Sequence, residues 1–347
     1  MKTKNTYTLA AEWHPQSAVM LSWPHSGTDW HYMLDEVNAC FIEIAKEIAL
    51  REKLLIISPE PDKVRNLLSE VCPSKQLIIV DMPNNDTWAR DHGALTLLSS
   101  EGTKPILLDF TFNGWGLKYA ANYDNQITRK LFNQGVFGSK AVYKGHLDFV
   151  LEGGSIESNG QGTLLTTSQC LLEANRNAGM TKEQIDLQLK AWLGVDQILW
   201  LDHGYLEGDD TDSHIDTLAR FCDENTICYV KCSDTNDPHF EALQRMEDQL
   251  LSFRNRQGEP FRLIPLPMAE ACFDEDGHRL PATYANFLII NGAVLVPVYN
   301  SNIDKIALTT LSGIFTGRKI VPVDCSALIK QHGSLHCVTM QFPELVF

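Results

Sequence analysis

The chain has 347 residues, 44% hydrophobic and 21% charged, with 22 Gly and 15 Pro, a composition that excludes disordered, collagenous and coiled-coil classes. Its 29 Lys and Arg face 44 Asp and Glu, for a net charge of -15, so nothing would hold a polyanion by counterion release, and neither nucleic acid nor an anionic membrane is expected as a partner. Length alone suggests two domains, at about 150 residues each.

The opening MKTKNTYTLAAEWHPQS has no apolar h-region, and no stretch approaches the roughly 18 apolar residues that cross a bilayer, so a cytoplasmic protein is expected. SAVMLSW (17–23) reads as a strand, followed by a helix over 32–50, the strand KLLIIS (53–58), a short helix and the strand QLIIVDM (76–82). GALTLLS (93–99) and KPILLDF (104–110) can pair, ahead of a helix near 124–132 and a strand near Ala141. GSIESNGQGTLLTT forms a hairpin around Asn159-Gly160, where Asn-Gly supplies a pair of residues with positive φ; a helix over 181–193 and the strand QILWL (197–201) follow. DTLARFC (216–222) and TICYVKC (226–232) pair around Glu224-Asn225, then come a helix over 238–253 and FRLIPLP (261–267). NFLIINGAVLVPVY turns at Asn291-Gly292, before a helix over 302–315 and KIVPVD (319–324). The last strand is VTMQF (338–342).

Four copies of hairpin, helix and strand are complete in this order. The fifth, at the N-terminus, lacks a hairpin partner that VTMQF can supply, so that the last strand closes onto the first and removes free edges. Five units of about 70 residues then replace the two-domain expectation with a single domain over 1–347. Nine scattered cysteines with no C-x-x-C pair point to reduced thiols, not to a disulfide scaffold.

The polar residues that attract notice all fall just before the first strand of a hairpin: Asp91 in TWARDHG, Glu152 in LEGGS, His214 and Asp216 in DSHID, Asn286 in TYANF and Cys337 in SLHCV. A ring of five units would bring these loops to one end. Cys337 begins a strand after HGSLH, where Gly333 and Ser334 give backbone freedom, and neighbouring acids would suppress its thiolate unless a cation arrived. Taken singly, each has a plainer use: a buried thiol for Cys337, an exposed loop residue for His214, turn chemistry for Glu152, an ion pair with Arg90 for Asp91, and core packing for Trp88. Together they form a nucleophile, a general acid and base, and carboxylates able to grip a planar cation bidentately. The spacings do not fit zinc, a calcium loop or a nucleotide-phosphate loop, so no metal and no cofactor is expected.

TWARDHG, FNGWGLKY, LEGGSIESNGQGTLLTTSQCLLEANRN, DDTDSHIDTLARF, YANFLIINGAVLVPVY and HGSLHCVTMQ, taken in order from about Trp13 to Gln341, resemble the motifs of the agmatine deiminase family, which is grouped with the bacterial peptidylarginine deiminases. The resemblance implies a five-bladed pseudo-symmetric α/β propeller of the pentein kind and cofactor-free hydrolysis of a guanidino group through a covalent thiouronium. It carries over Cys337 as nucleophile, His214 as acid and base, Asp91 and Asp216 as guanidinium ligands, and Glu152 as partner of His214 and the guanidinium. Trp88, Trp115 and Asn286 match less central positions and are candidates for the substrate pocket. Many family members have G-G-G-N-I-H-C before the nucleophile, whereas this chain has Gln331-His332-Gly333-Ser334-Leu335-His336-Cys337, a difference that bears on pocket shape.

No Arg lies between Asp91 and Arg129 to bind a substrate carboxylate, which favours agmatine over arginine, and Asp209, Asp210 or Asp212 could receive the agmatine amine. The expected partner is therefore a small cationic guanidino substrate, and a homo-oligomer remains compatible. Peptidyl-arginine deimination is the nearest alternative; an amidinotransferase and a non-catalytic cation-binding protein are further ones.

Overall fold

The computed structural model describes residues 7–102 and 104–347. It is a mixed α/β fold in which one pairing pattern recurs five times. Within each sheet a central strand is antiparallel to one neighbour and parallel to the next. The central strand Ile106–Thr111 lies between Leu95–Ser99 and Val142–Val150; Thr163–Thr167 lies between Ile156–Ser158 and Gln197–Leu201. Thr226–Lys231 lies between Ala219–Phe221 and Arg262–Pro267, and Ala293–Val298 between Leu288–Ile290 and Lys319–Asp324. In the fifth sheet Gln16–Ser22 is parallel to Lys53–Ser58 and antiparallel to Thr339–Pro343, with Thr339 opposite Leu21, so the C-terminal strand completes the N-terminal unit as expected.

A parallel pair needs a long crossover, and in the five repeats it runs through a helix: Leu34–Ala49, Ile127–Asn133, Lys182–Leu193, Phe240–Ser252 and Asp304–Ile314; a sixth parallel pair, Lys53–Ser58 with Leu77–Asp81, is bridged through Pro61–Leu68. Lys182–Leu193 shows why such a segment is helical. Thr181 and Gln184 form a reciprocal capping box, and Ile185, Leu189 and Leu193 recur every fourth residue on the buried face. The strands that read as unbroken apolar runs are covered on both faces. Leu54 and Ile56 enter one hydrophobic cluster while Leu55 and Ile57 enter another, and Val19 and Leu21 alternate with Ala18 and Met20 in the same way.

Three features go beyond or against the sequence reading. Tyr7–Leu9 adds a fourth strand beside Leu95–Ser99, and Cys272–Phe273 pairs with Arg279–Leu280 in a separate ribbon. At the Asn-Gly turns only Gly160 (φ +67°) and Gly292 (φ +71°) are left-handed. The asparagines act through their side chains instead: Asn159 Oδ1 accepts from the amides of Gln161 and Thr163, and Asn291 donates to the Gln16 carbonyl and to Glu52.

Candidate active site

All five hairpin-entry loops converge. Asp91 lies in the short helix Ala89–His92 and Glu152 at the start of the turn Gly153–Ser155, while His214 and Asp216 flank the start of the turn Ile215–Thr217. Hydrogen bonds join the loops to one another. The Gly154 amide donates to Asp91 Oδ1 (2.9 Å), Asn286 Nδ2 to the Asp216 carbonyl (3.3 Å), the His336 amide to Asn286 Oδ1 (2.8 Å), and the Arg90 amide to the Cys337 carbonyl (3.1 Å).

The centre of the arrangement is the α-carbon of Gly154. A methyl group placed there would lie 2.7 Å from His214 Nδ1, 2.9 Å from Asp91 Oδ1 and 3.1 Å from Asp216 Oδ2. A general base and two carboxylates thus close around one glycine that leaves room between them. Cys337 Sγ stands 3.4 Å from Asn286 Oδ1 and 3.8 Å from Asp216 Oδ2.

Asp91 does not pair with its neighbour Arg90, whose guanidinium turns to Glu12 (3.2 Å) and Gln341. The second Asp91 oxygen accepts from the Trp115 indole Nε1–H at 3.0 Å, so Trp115 orients an acid of the site. That indole is held by a backbone of unusual shape, with Trp115 itself at φ +55° between Gly114 and Gly116. Trp88 packs edge-on against Trp115, and Gly333 lies under its ring, where an added methyl would sit 2.1 Å from Trp88 Cζ3. Gly333 therefore serves here by its lack of a side chain; its φ is not left-handed, so backbone freedom is not its use.

Charge states divide the two aspartates. Burial raises the Asp91 carboxyl well above its ordinary range, and the nearby carboxylates of Asp216 and Glu152 push it further. Burial also raises Asp216, but the hydrogen bond from His336 and the electrostatic pull of His336 and Arg220 outweigh that and hold it below the usual value. Burial pushes His214 down to about 3, leaving a neutral imidazole in the free protein. The Cys337 thiol goes well up, first from burial and then from Asp216 and Asp91, which is the suppression expected of acids around a nucleophile.

Glu152 is fully buried and its carboxylate is bridged by Arg176 Nε at 2.9 and 3.0 Å. Its oxygen reaches within 4.8 Å of a His214 ring nitrogen and of Cys170 Sγ, longer than a hydrogen bond to His214, whose Nε2 has no partner among the described residues. A second set of potential ligands, Glu12, Glu157 and His336, encloses the guanidinium of Arg220. In both clusters an arginine already neutralises the carboxylates where an ion would sit.

A cavity of about 570 Å³ opens onto Cys337, Asp91, Trp88 and Trp115. Five acids line it: Asp29, Asp86, Asp91, Asp124 and Asp210. Burial lifts Asp86 and Asp124 to about 7. Of the three acids considered for an amine, only Asp210 faces this space, accepting from Tyr119 Oη at 2.8 Å; Asp209 caps Thr211 and Ser213, and Asp212 pairs with Lys118 and Arg176. No arginine is among the described lining residues.

Residues 8–343 match the family model of the Porphyromonas-type peptidyl-arginine deiminase. The chain belongs to this family. Members and likenesses cover it from end to end. A Porphyromonas gingivalis structure described as a "putative arginine deiminase" is 51% identical, with TM-score 0.93 over 98% of this chain and 99% of that one. A cysteine-to-serine variant of C. jejuni agmatine deiminase with substrate bound is 39% identical, with TM-score 0.90 over 98% and 97%. A Legionella pneumophila relative named "putative agmatine deiminase" is 31% identical over 97% of this chain and 95% of its own length.

Sequence reasoning missed Arg176, Arg220, Glu12 and His336. Arg176 lies in the EANRN segment of a quoted motif, and His336 adjoins the nucleophile, so each carried a local signal. Glu12, 324 residues from His336, carried none.

Proposed function

We propose that this protein is an agmatine deiminase, hydrolysing the guanidino group of agmatine to N-carbamoylputrescine and ammonia. The observation that carries the reading is the cavity itself: it joins Cys337 to five aspartic acid side chains and offers no guanidinium to a substrate carboxylate. A dication with a planar head and a terminal amine matches that lining, whereas arginine would bring an anion into it that meets no guanidinium and only Lys118, an ammonium already paired with Asp212. The agmatine deiminase relative of known structure with substrate bound supports the same assignment.

In this reading the guanidinium settles between Asp91 and Asp216, and its arrival drives the proton that Asp91 holds in the empty site out to solvent. The added positive charge lowers the cost of a thiolate, so the Cys337 proton passes to His214 and sulfur attacks the guanidinium carbon. His214 returns that proton to a departing nitrogen, which leaves as ammonia, and the carbon stays bonded to sulfur as a thiouronium. Neutral His214 then takes a proton from water as the oxygen adds to the same carbon; the C–S bond breaks, His214 gives that proton to the departing thiolate, and the ureido product leaves after its new hydroxyl releases a proton to solvent, where ammonia takes it up. The carboxylates favour positive charge at every stage, and they are in position before substrate binds. Glu152, neutralised by Arg176, holds the turn that presents Gly154 and flanks His214. Trp88 and Trp115, packed edge to face, line the pocket beside Cys337, Asn286 orients the Cys337 loop, and Asp210 faces the amine end.

The five repeated sheets, with loops linked in chain order and the terminal strands paired, support a five-bladed propeller of the pentein kind folded as one domain over 1–347. Among the described residues no helix is long and apolar enough to cross a membrane, and all nine cysteines are free, which supports a cytoplasmic location.

The test is to incubate the protein with agmatine, arginine and an arginyl peptide, measuring ureido product and ammonia, with Cys337→Ala and Asp216→Asn alongside. Agmatine should be turned over best, without any amine acceptor, and both variants should lose nearly all activity. Absence of product from agmatine, or undiminished turnover by Cys337→Ala, would overturn the assignment.

A further inference from the structure

His336 sits beside the nucleophile but its side chain leads away from the cavity, between two carboxylates. Its Nδ1 is 2.7 Å from Asp216 Oδ2 and its Nε2 is 2.6 Å from Glu12 Oε1. Neither contact can persist lone pair against lone pair, so a proton lies in each. Burial, with the guanidinium groups of Arg220 and Arg90, holds this imidazole below its ordinary range against the pull of Glu12 and Asp216, and Arg220 Nη2 stands 3.1 Å from the same Nε2; the contacts of 2.7 and 2.6 Å nevertheless each require a shared proton. Arg220 fixes the far end, donating to Glu12, Glu157 and the carbonyls of Ala285 and Phe287. Glu12 comes from the N-terminal segment, Arg220 from the strand after Asp216, and His336 from the C-terminal loop, so three distant parts of the chain build one feature.

We infer that Glu12 and His336 are positioning residues for the guanidine reaction: through the hydrogen-bonded chain Glu12–His336–Asp216 they hold the Asp216 carboxylate in place, as an anion, before substrate arrives. This rests on the reading of the site as a guanidine-binding one. It explains why two aspartates in the same buried space differ. Asp216 Oδ2 is tied to His336, whereas among the described residues Asp91 receives hydrogen bonds only from the neutral donors Gly154 N and Trp115 Nε1. Asp216 is also the acid whose remaining oxygen, Oδ1, is buried and unpartnered among the described residues, and so is free for a guanidinium N–H. The charged and titratable groups that face this pair are Asp91 from the short helix, His214 and Arg220 around Asp216 itself, Cys337 beside it, and Glu12 and Arg90 around His336.

The experiment compares His336→Asn, which keeps an N–H near the position of Nδ1, with His336→Phe, which keeps the ring shape and loses both donors, and with Glu12→Gln. Two readouts are followed against pH: kcat/KM for agmatine, and the rate at which 2-chloroacetamidine, a cationic alkylating agent, modifies Cys337. His336→Phe should lose roughly tenfold or more in both rates, as expected for one charge-assisted hydrogen bond. Its acidic limb should move upward by about one pH unit or more, because Asp216 then accepts a proton more readily. His336→Asn should recover much of the rate, and Glu12→Gln should move the limb in the same direction by less. A purely packing role would rank Phe above Asn and leave the limb in place; either result would overturn the inference, as would limbs superimposed on the wild type. Should the wild type be alkylated yet fail to turn over agmatine, the assignment of substrate falls while the alkylation profiles still decide the role of His336.

Discussion

Gly154→Ala is the substitution in which the geometry of the site is most directly exposed. The φ of Gly154 is not left-handed, so alanine incurs no backbone strain there, and the effect must arise from the added methyl. That methyl would meet His214 Nδ1 at 2.7 Å, Asp91 Oδ1 at 2.9 Å and Asp216 Oδ2 at 3.1 Å, where ordinary contacts begin at 3.4 Å. Each group would have to retreat by several tenths of an ångström, and the space between them would be lost to the guanidinium. Misplacement of reacting groups by about 1 Å costs ~100-fold in rate, equivalent to ~2.7 kcal/mol of barrier. We expect kcat/KM for agmatine to fall by ~100-fold or more, with chemical denaturation showing a stability loss of ~2 kcal/mol or less. Steady-state kinetics beside a denaturation curve separates the two effects. A variant that keeps kcat/KM within about threefold of wild type would refute the claim that these three groups close around a substrate at this point.

Trp115→Phe removes the indole donor 3.0 Å from Asp91 Oδ2 while keeping an aromatic wall, and should cost ~10-fold in kcat/KM with little change in melting temperature. With the Cys337 thiol raised by burial and by Asp216 and Asp91, its thiolate fraction in the free enzyme should stay small through neutral pH and grow only in alkali; neutral iodoacetamide should therefore react slowly below about pH 8, and the rate at a given pH should rise when a guanidinium compound occupies the site. Fast alkylation of the free enzyme at neutral pH would contradict that charge arrangement. Arg220→Met leaves Glu157 buried without its ion-pair partner, while Glu12 keeps Arg90 and His336, and should destabilise the fold by ~3–5 kcal/mol in urea denaturation, whereas the exposed pair Arg245–Glu241 should be worth under ~1 kcal/mol when broken.

Most secondary elements were legible because their signals are local. The strands 53–58, 197–201 and 319–324 lie where their apolar runs put them, and the helices fall within a few residues of expectation, each bounded by a turn or a cap. The pairing of 338–342 with the first strand was legible for a different reason: one repeat lacked a strand and one strand lacked a repeat. Turn chemistry was read less well. Asn159 and Asn291 use side-chain hydrogen bonds in place of the left-handed backbone, Asn159 within its own turn and Asn291 to Gln16 and Glu52 of another unit.

For the site, the residue types and their placement at hairpin entrances were determined by the sequence alone, since a repeat carries its loop residues in register whatever surrounds them. Asp91, Glu152, His214, Asp216, Asn286 and Cys337 could all be named on that basis. Which acid is charged, which is oriented by Trp115, which is occupied by Arg176, and which is tied through His336 to Glu12 were decided only by the tertiary structure. Those properties depend on desolvation and on hydrogen bonds between groups up to 324 residues apart, and neither burial nor a contact of 2.6 Å has a counterpart in linear order.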